Sequence, residues 1–166
     1  MKHKAMKNRI AIVAAALLAL LAASAEAATV QVQGGMVLGT ASADAAVTRY
    51  LGVPYAAAPV AGLRWRPPQP VAPWQGILET VHAAAACPQP LPKPGSFYQT
   101  EFFRTSERQS EDCLYLNIWT PARGQAEKLP VMVWFHGGGF AQGSGSLSSF
   151  EGESQARHGV VVVTIN

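Results

Sequence analysis

Val131-Met132-Val133-Trp134-Phe135-His136-Gly137-Gly138-Gly139-Phe140 passes from five consecutive apolar residues into a histidine and three glycines. Five residues without a polar face suit a strand covered on both sides, as in an α/β sheet. Val160-Val161-Val162-Val163-Thr164-Ile165 has the same character. Between the two runs, Glu151 to His158 predicts a two-turn helix, with Gly159 at the position that ends it. Strand, helix and strand in that order predict an α/β fold.

Upstream, Leu114 to Trp119 predicts a strand ended by Thr120-Pro121, and the polar turn Ala122 to Lys128 leads on to Val131. Arg49 to Tyr55 predicts a short strand stopped by Pro54. Thr29-Val30-Gln31-Val32-Gln33 alternates apolar and polar, meets Gly34-Gly35, and resumes as Met36 to Thr40, the pattern of a hairpin at a sheet edge. From Pro59 to Trp74 the chain is dense in Pro, Trp and Arg. Its rings read as core plugs and its arginines as partners of buried carboxylates, rather than as a nucleic-acid surface or a display of polyproline.

The glycines carry the chemistry. At a strand exit they let successive N–H groups turn toward one point, in conformations that side chains forbid. An oxyanion forming in a tetrahedral intermediate needs such donors, and losing one costs about 3 kcal/mol of barrier. Phosphate binding is the other use of glycine loops, but neither Gly-x-x-x-x-Gly-Lys-Ser/Thr nor Gly-x-Gly-x-x-Gly occurs. His3, His82, His136 and His158 lie far apart in the chain without acids at ligand spacing, so no metal or cofactor is expected.

A length of 166 residues suits about one domain. With 49% apolar and 14% charged residues the chain is neither a disordered charged tail nor a coiled coil. The net charge of +3 belongs to the first residues, where Lys2, Lys4, Lys7 and Arg9 precede the apolar run Ile10 to Leu21. Residues 1–27 have the three parts of a signal peptide, with cleavage expected after Ala25 or Ala27. The run is short for a membrane span, and no Cys follows it for a lipid anchor. Residues 28–166 keep nine basic and nine acidic residues, so their charge implies no nucleic-acid partner, and no stable membrane insertion is expected after cleavage. The protein is expected to be secreted or periplasmic. In such a compartment Cys87 and Cys113, the only two cysteines, are favoured to join; two buried free thiols are the alternative. Joined, they would close a segment with four prolines between Pro88 and Pro94, which suits neither a helix nor an interior strand. Closing a loop of that size is worth about 3–4 kcal/mol.

Glu111-Asp112-Cys113-Leu114-Tyr115-Leu116-Asn117-Ile118-Trp119-Thr120-Pro121 resembles the second signature of the type-B carboxylesterases, the α/β-hydrolase family that includes the cholinesterases. The resemblance extends to Tyr50-Leu51-Gly52-Val53-Pro54-Tyr55-Ala56, Leu63-Arg64-Trp65-Arg66-Pro67-Pro68, Cys87-Pro88-Gln89 and Val161-Val162-Val163-Thr164-Ile165-Asn166. It implies the N-terminal portion of an α/β-hydrolase fold over residues 28–166, an edge hairpin plus the first strands of a central, mostly parallel sheet. It also implies that Cys87 and Cys113 form the family's first disulfide. Gly138 and Gly139, in the loop His136 to Phe140, fall where the family places two oxyanion-hole amides. Arg64 and Glu111 fall where many members bury an ion pair, and stranding one partner of a buried pair costs about 3–5 kcal/mol. Cholinesterases carry a Trp for the choline cation inside the disulfide loop; here that loop has Phe97, Phe102 and Phe103 and no Trp, so choline esters are not the expected substrate.

The resemblance implies a serine esterase acting on small-molecule esters, yet the nucleophile elbow Gly-x-Ser-x-Gly is absent from these residues. Gly152-Glu153-Ser154 begins like one but continues Gln155-Ala156. The family's Ser, acid and His all fall downstream of Asn166, so the chain is expected to be the N-terminal part of a longer enzyme and inactive alone. With Val160 to Ile165 as an open edge, it is also expected to be insoluble alone. A non-catalytic adhesion relative, and an esterase of the hormone-sensitive-lipase group, are the alternatives. Substrate identity and oligomeric state are not legible.

Overall fold

Gln33-Gly34 turns β1 (Thr29–Val32) back onto β2 (Gly35–Leu38), with Val32 opposite Gly35. This is seen in a computed structural model of the chain, which describes residues 28–102, 108–124 and 126–166. The leader, with its cleavage sites at Ala25 and Ala27, lies outside the described residues. The Trp74 indole packs so close to Gly34 and Gly35 that neither has room for a Cβ, and its Nε1–H donates to the Met36 carbonyl at 2.9 Å. Trp74 is thus the plug the sequence suggests. Trp65 is not: it is 95% exposed, because the stretch from Ala61 to Pro70 runs over the surface.

β2 also pairs in parallel with β5 (Ile77–Glu79), giving a three-stranded sheet in the order β1-β2-β5. A second sheet of five strands runs β3 (Thr40–Ala41), β4 (Thr48–Pro54), β6 (Tyr115–Thr120), β8 (Val161–Ile165) and β7 (Val131–Phe135). Its first three pairings are antiparallel, and parallel pairing begins with β7 and β8. A bulge breaks the β4–β6 ladder between Tyr50 and Val53. There Leu51 donates its N–H to the Thr80 carbonyl at 2.7 Å and bridges to Val81, which ties the two sheets together.

β6 is covered on both faces by period-two alternation. Leu116 and Ile118 pack with Val37, Tyr50 and Val53. Trp119 packs on the other face with Val47, Ala156 and Val162. The helix α1 (Glu153–Ala156) is one turn, shorter than the Glu151–His158 expectation. Gly152, just before it, sits so tightly against Val162 and Trp119 that no Cβ fits there. Gly159, at φ +88°, ends the turn as expected.

The open edge differs from the sequence expectation. β8 is not an edge: it pairs with β6 on one side and with β7 on the other. The crossover through α1 inserts β8 between the two earlier strands and leaves β7 outermost. All five residues of β7 are exposed, against the covering expected from their apolar character. Phe150 packs on this strand, its ring 5.3 Å from that of Trp134.

Candidate active site

β7 delivers the chain into His136-Gly137-Gly138-Gly139-Phe140, and the backbone there leaves the ordinary regions. Gly138 lies at φ +125°, Gly139 at +63° and Phe140 at +58°. A Cβ on Gly138 would fall on the carbonyl oxygen of Gln142, so that position admits only glycine. The Gly138 carbonyl accepts the N–H groups of Ala141 and Gln142 at 3.1 and 3.3 Å, which curls the loop back. At its far end Gly143, at φ +125°, closes against the His136 ring and the Gly137 carbonyl, again with no room for a side chain. His136 Nδ1 lies 2.8 Å from the Gly137 carbonyl. Among the described residues, the N–H groups of Gly138 and Gly139 donate no hydrogen bond. The loop, Cys87-Pro88-Gln89 and Asn166 together line a cavity of about 340 Å³.

A larger hollow of about 830 Å³ lies elsewhere, between the hairpin β1–β2 and the segment Thr120 to Glu127. It holds Arg123 and Glu127 but no nucleophile–base pair, and the glycine loop does not reach it.

Cys87 and Cys113 are joined by a disulfide. Arg64 Nε meets Glu111 Oε1 at 2.8 Å, so the pair exists, but it is not buried: the side chains are 53% and 44% exposed. Arg64 stands on the surface run that also exposes Trp65, so water screens the pair, which is worth about 0–1 kcal/mol rather than the cost of a buried one. Phe97 is 63% exposed and packs edge-on against Tyr98 at 6.1 Å. The Phe102 side chain and Phe103 lie outside the described residues.

Sequence reasoning passed over the amide side chains around the loop. Gln89 holds Gly143 by both main-chain groups, with Nε2 to the carbonyl at 2.8 Å and the Gly143 N–H to Oε1 at 2.6 Å. Asn166 Oδ1 accepts the Gly145 N–H at 2.9 Å and the Ser144 hydroxyl at 3.1 Å, while its Nδ2 donates to the Ala85 carbonyl at 3.1 Å. Asn117 is buried, accepts the Gly52 N–H in the bulge, and donates to Ser146 and Thr164. The signal for Gln89 and Asn117 was present in the stretches that carry the family resemblance, but a sequence does not say which backbone a carboxamide will find.

Residues 26–166 match the model of the carboxylesterase family. The chain is 44% identical over 123 residues to the fumonisin B1 esterase of Sphingopyxis macrogoltabida, covering 72% of this chain and 21% of that protein. It is 41% identical over 138 residues to the para-nitrobenzyl esterase of Bacillus subtilis (strain 168), covering 82% of this chain and 27% of that one. The fold superposes on a solved para-nitrobenzyl esterase with a TM-score of 0.71 at 37% identity, over 83% of this chain and 27% of that one. A carboxylesterase from Geobacillus stearothermophilus gives 0.70 at 40% identity, over 83% of this chain and 26% of that one. The chain thus spans about a fifth to a quarter of the length of the relatives it matches. Its two sheets are the N-terminal portion of an α/β-hydrolase fold, and the chain belongs to the carboxylesterase family.

Proposed function

We propose that this chain is the N-terminal part of an exported serine hydrolase of carboxylic esters, and that it contributes part of the oxyanion hole. The observation that carries the reading is the pair of unengaged N–H groups on Gly138 and Gly139, in a loop that lines a cavity at the exit of a sheet strand. Donors held in place before reaction lose nothing to reorganisation when charge develops on the carbonyl oxygen. A serine from the downstream polypeptide attacks the ester carbonyl, and a histidine, oriented by an acid, takes the serine proton and returns it to the leaving alcohol. The amide after that serine joins Gly138 and Gly139 at the oxyanion. No part of this chemistry calls for a metal or a cofactor. Small-molecule esters are the substrate class, in keeping with relatives named as esterases.

Export rests on the leader. The family match begins at residue 26, beside the two expected cleavage points, which supports a mature protein starting near Glu26 or Ala28.

The test is to read the coding sequence past Asn166, express the full-length product and assay it on p-nitrophenyl acetate and butyrate. The reading expects Gly-x-Ser-x-Gly, then an acid and a histidine, and hydrolysis abolished by a fluorophosphonate. A full-length product with the serine replaced and no hydrolysis overturns it in favour of a non-catalytic relative. N-terminal sequencing of the exported protein checks the cleavage point.

A further inference from the structure

The glycine loop does not hold its own shape. Its hydrogen bonds from Ala141 and Gln142 to Gly138 fix the curl at the tip, but the return to the sheet passes through Gly143, a residue without side-chain contacts of its own. What grips Gly143 is the carboxamide of Gln89, on both the N–H and the carbonyl. Gln89 is itself held the same way one step back: its N–H donates to Gln109 Oε1 at 3.1 Å, and its carbonyl accepts from Gln109 Nε2 at 3.0 Å. Gln89 Nε2 also donates to the Cys87 carbonyl at 3.1 Å, beside the disulfide to Cys113. Two carboxamides in relay therefore run from the base of the disulfide loop to the end of the glycine loop.

We propose that Gln89 is a positioning residue for the oxyanion loop, its carboxamide gripping both main-chain groups of Gly143 and so fixing the segment that carries the Gly138 and Gly139 N–H groups. This rests on the ester-hydrolase reading above. Gly143 closes against His136 and Gly137, so a displaced Gly143 releases the near end of the loop as well as the far end. An amide fits the task because one planar group offers a donor and an acceptor to the two main-chain groups of a single residue.

The test uses the full-length protein with Gln89→Ala, the equally long but non-bonding Gln89→Met, and Gln89→Glu, which keeps the acceptor for the Gly143 N–H and loses the donor. Rates are taken per site titrated with a fluorophosphonate, so that a lower folded fraction does not count. Gln89→Met and Gln89→Ala are expected to lower kcat about 10–100-fold with KM within about twofold, and Gln89→Glu to fall between them and the wild type. Amide hydrogen exchange across residues 137–145 is expected to accelerate in the same order. An unchanged kcat per titrated site, whatever happens to KM, overturns the proposal. If the wild type hydrolyses no ester, the hydrolase reading fails by itself, and exchange decides the remainder: acceleration upholds the grip of Gln89 on the loop, and unchanged exchange overturns it.

Discussion

The Asn117 carboxamide oxygen accepts the Gly52 N–H at 3.0 Å, across the bulge where β4 and β6 lose register. The ladder therefore breaks without leaving that donor dry. The Asn117 Nδ2 goes on to Ser146 and Thr164, so one buried side chain joins the bulge, β8 and the segment after the glycine loop. Leu in place of Asn117 keeps the approximate volume and strands these partners, at about 1–3 kcal/mol for each group left unsatisfied. Asn117→Leu in the full-length protein is expected to lower stability by about 2–4 kcal/mol. Denaturant titration measures it, and a loss below half a kcal/mol contradicts this account.

Tyr115 is expected to titrate at about 12, because burial and a hydrogen bond to Asp112 both disfavour the phenolate. The folded value lies above the ordinary 10.0, so folding favours the neutral phenol. Its stabilisation is complete below pH 10 and is lost as pH rises through about 12. Burial pushes Tyr50 and Tyr55 in the same direction. Phenolate absorbance during an alkaline titration, compared with Tyr115→Phe, should show one late-titrating group disappear.

Arg157 grips Asp44 with both Nη atoms, at 2.6 and 3.1 Å, and also reaches Glu153 at 2.7 Å. Hydrogen bonds from Arg157, Ser42 and the Ala46 N–H hold the Asp44 carboxyl well below its ordinary 3.8. A depressed value means the contribution is present above pH 3.8 and lost as pH falls through the folded value. The site is exposed, so the effect on global stability is small and salt-sensitive. Carboxyl NMR should find Asp44 moving up toward 3.8 in Arg157→Ala.

Cys87 and Cys113 are 26 residues apart in sequence, and their bond anchors the segment that ends in Gln89. Cys87→Ser with Cys113→Ser is expected to cost about 3–4 kcal/mol in the chain-entropy account. Paired melts of oxidised and double-mutant full-length protein give the difference, and equal midpoints contradict it.

The 166-residue chain made alone is expected to aggregate through β7, whose Val131 and Phe135 are 61% and 72% exposed on an unpaired edge. Val133→Lys should raise the soluble fraction, because a charge on an edge strand opposes pairing with another chain. Light scattering during refolding tests both, and a soluble, cooperatively melting wild-type monomer rejects the expectation.

The hairpin, the strands β4, β6, β7 and β8, and the parallel character of the β7–β8 unit were legible because alternation, continuous apolar runs and glycine positions are local signals, whereas the short strands β3 and β5 carry too few residues to show a pattern. The glycine loop was legible for the same reason. Three features were not. The place of β8 between β6 and β7 depends on which strands meet across about fifty residues, and no local pattern encodes that. The exposure of Trp65 and of the Arg64–Glu111 pair depends on the path of a proline-rich surface run, whereas Trp74, similar in composition and context, is packed by Gly34 and Gly35. The carboxamide relay through Gln109, Gln89 and Gly143 joins residues twenty and more than fifty positions apart.

Strand order in space differs from the order of synthesis, because β8 lies between β6 and β7 although it is made after both. A growing polypeptide that has emerged only as far as Phe150 holds β7 without β8, the strand it pairs with. The glycine loop is translated before the strand that pairs with β7, so it lacks that support until Ile165 has left the ribosome. On the ribosome, β7 therefore stands without its pairing strand for as long as the residues between it and β8 are being made.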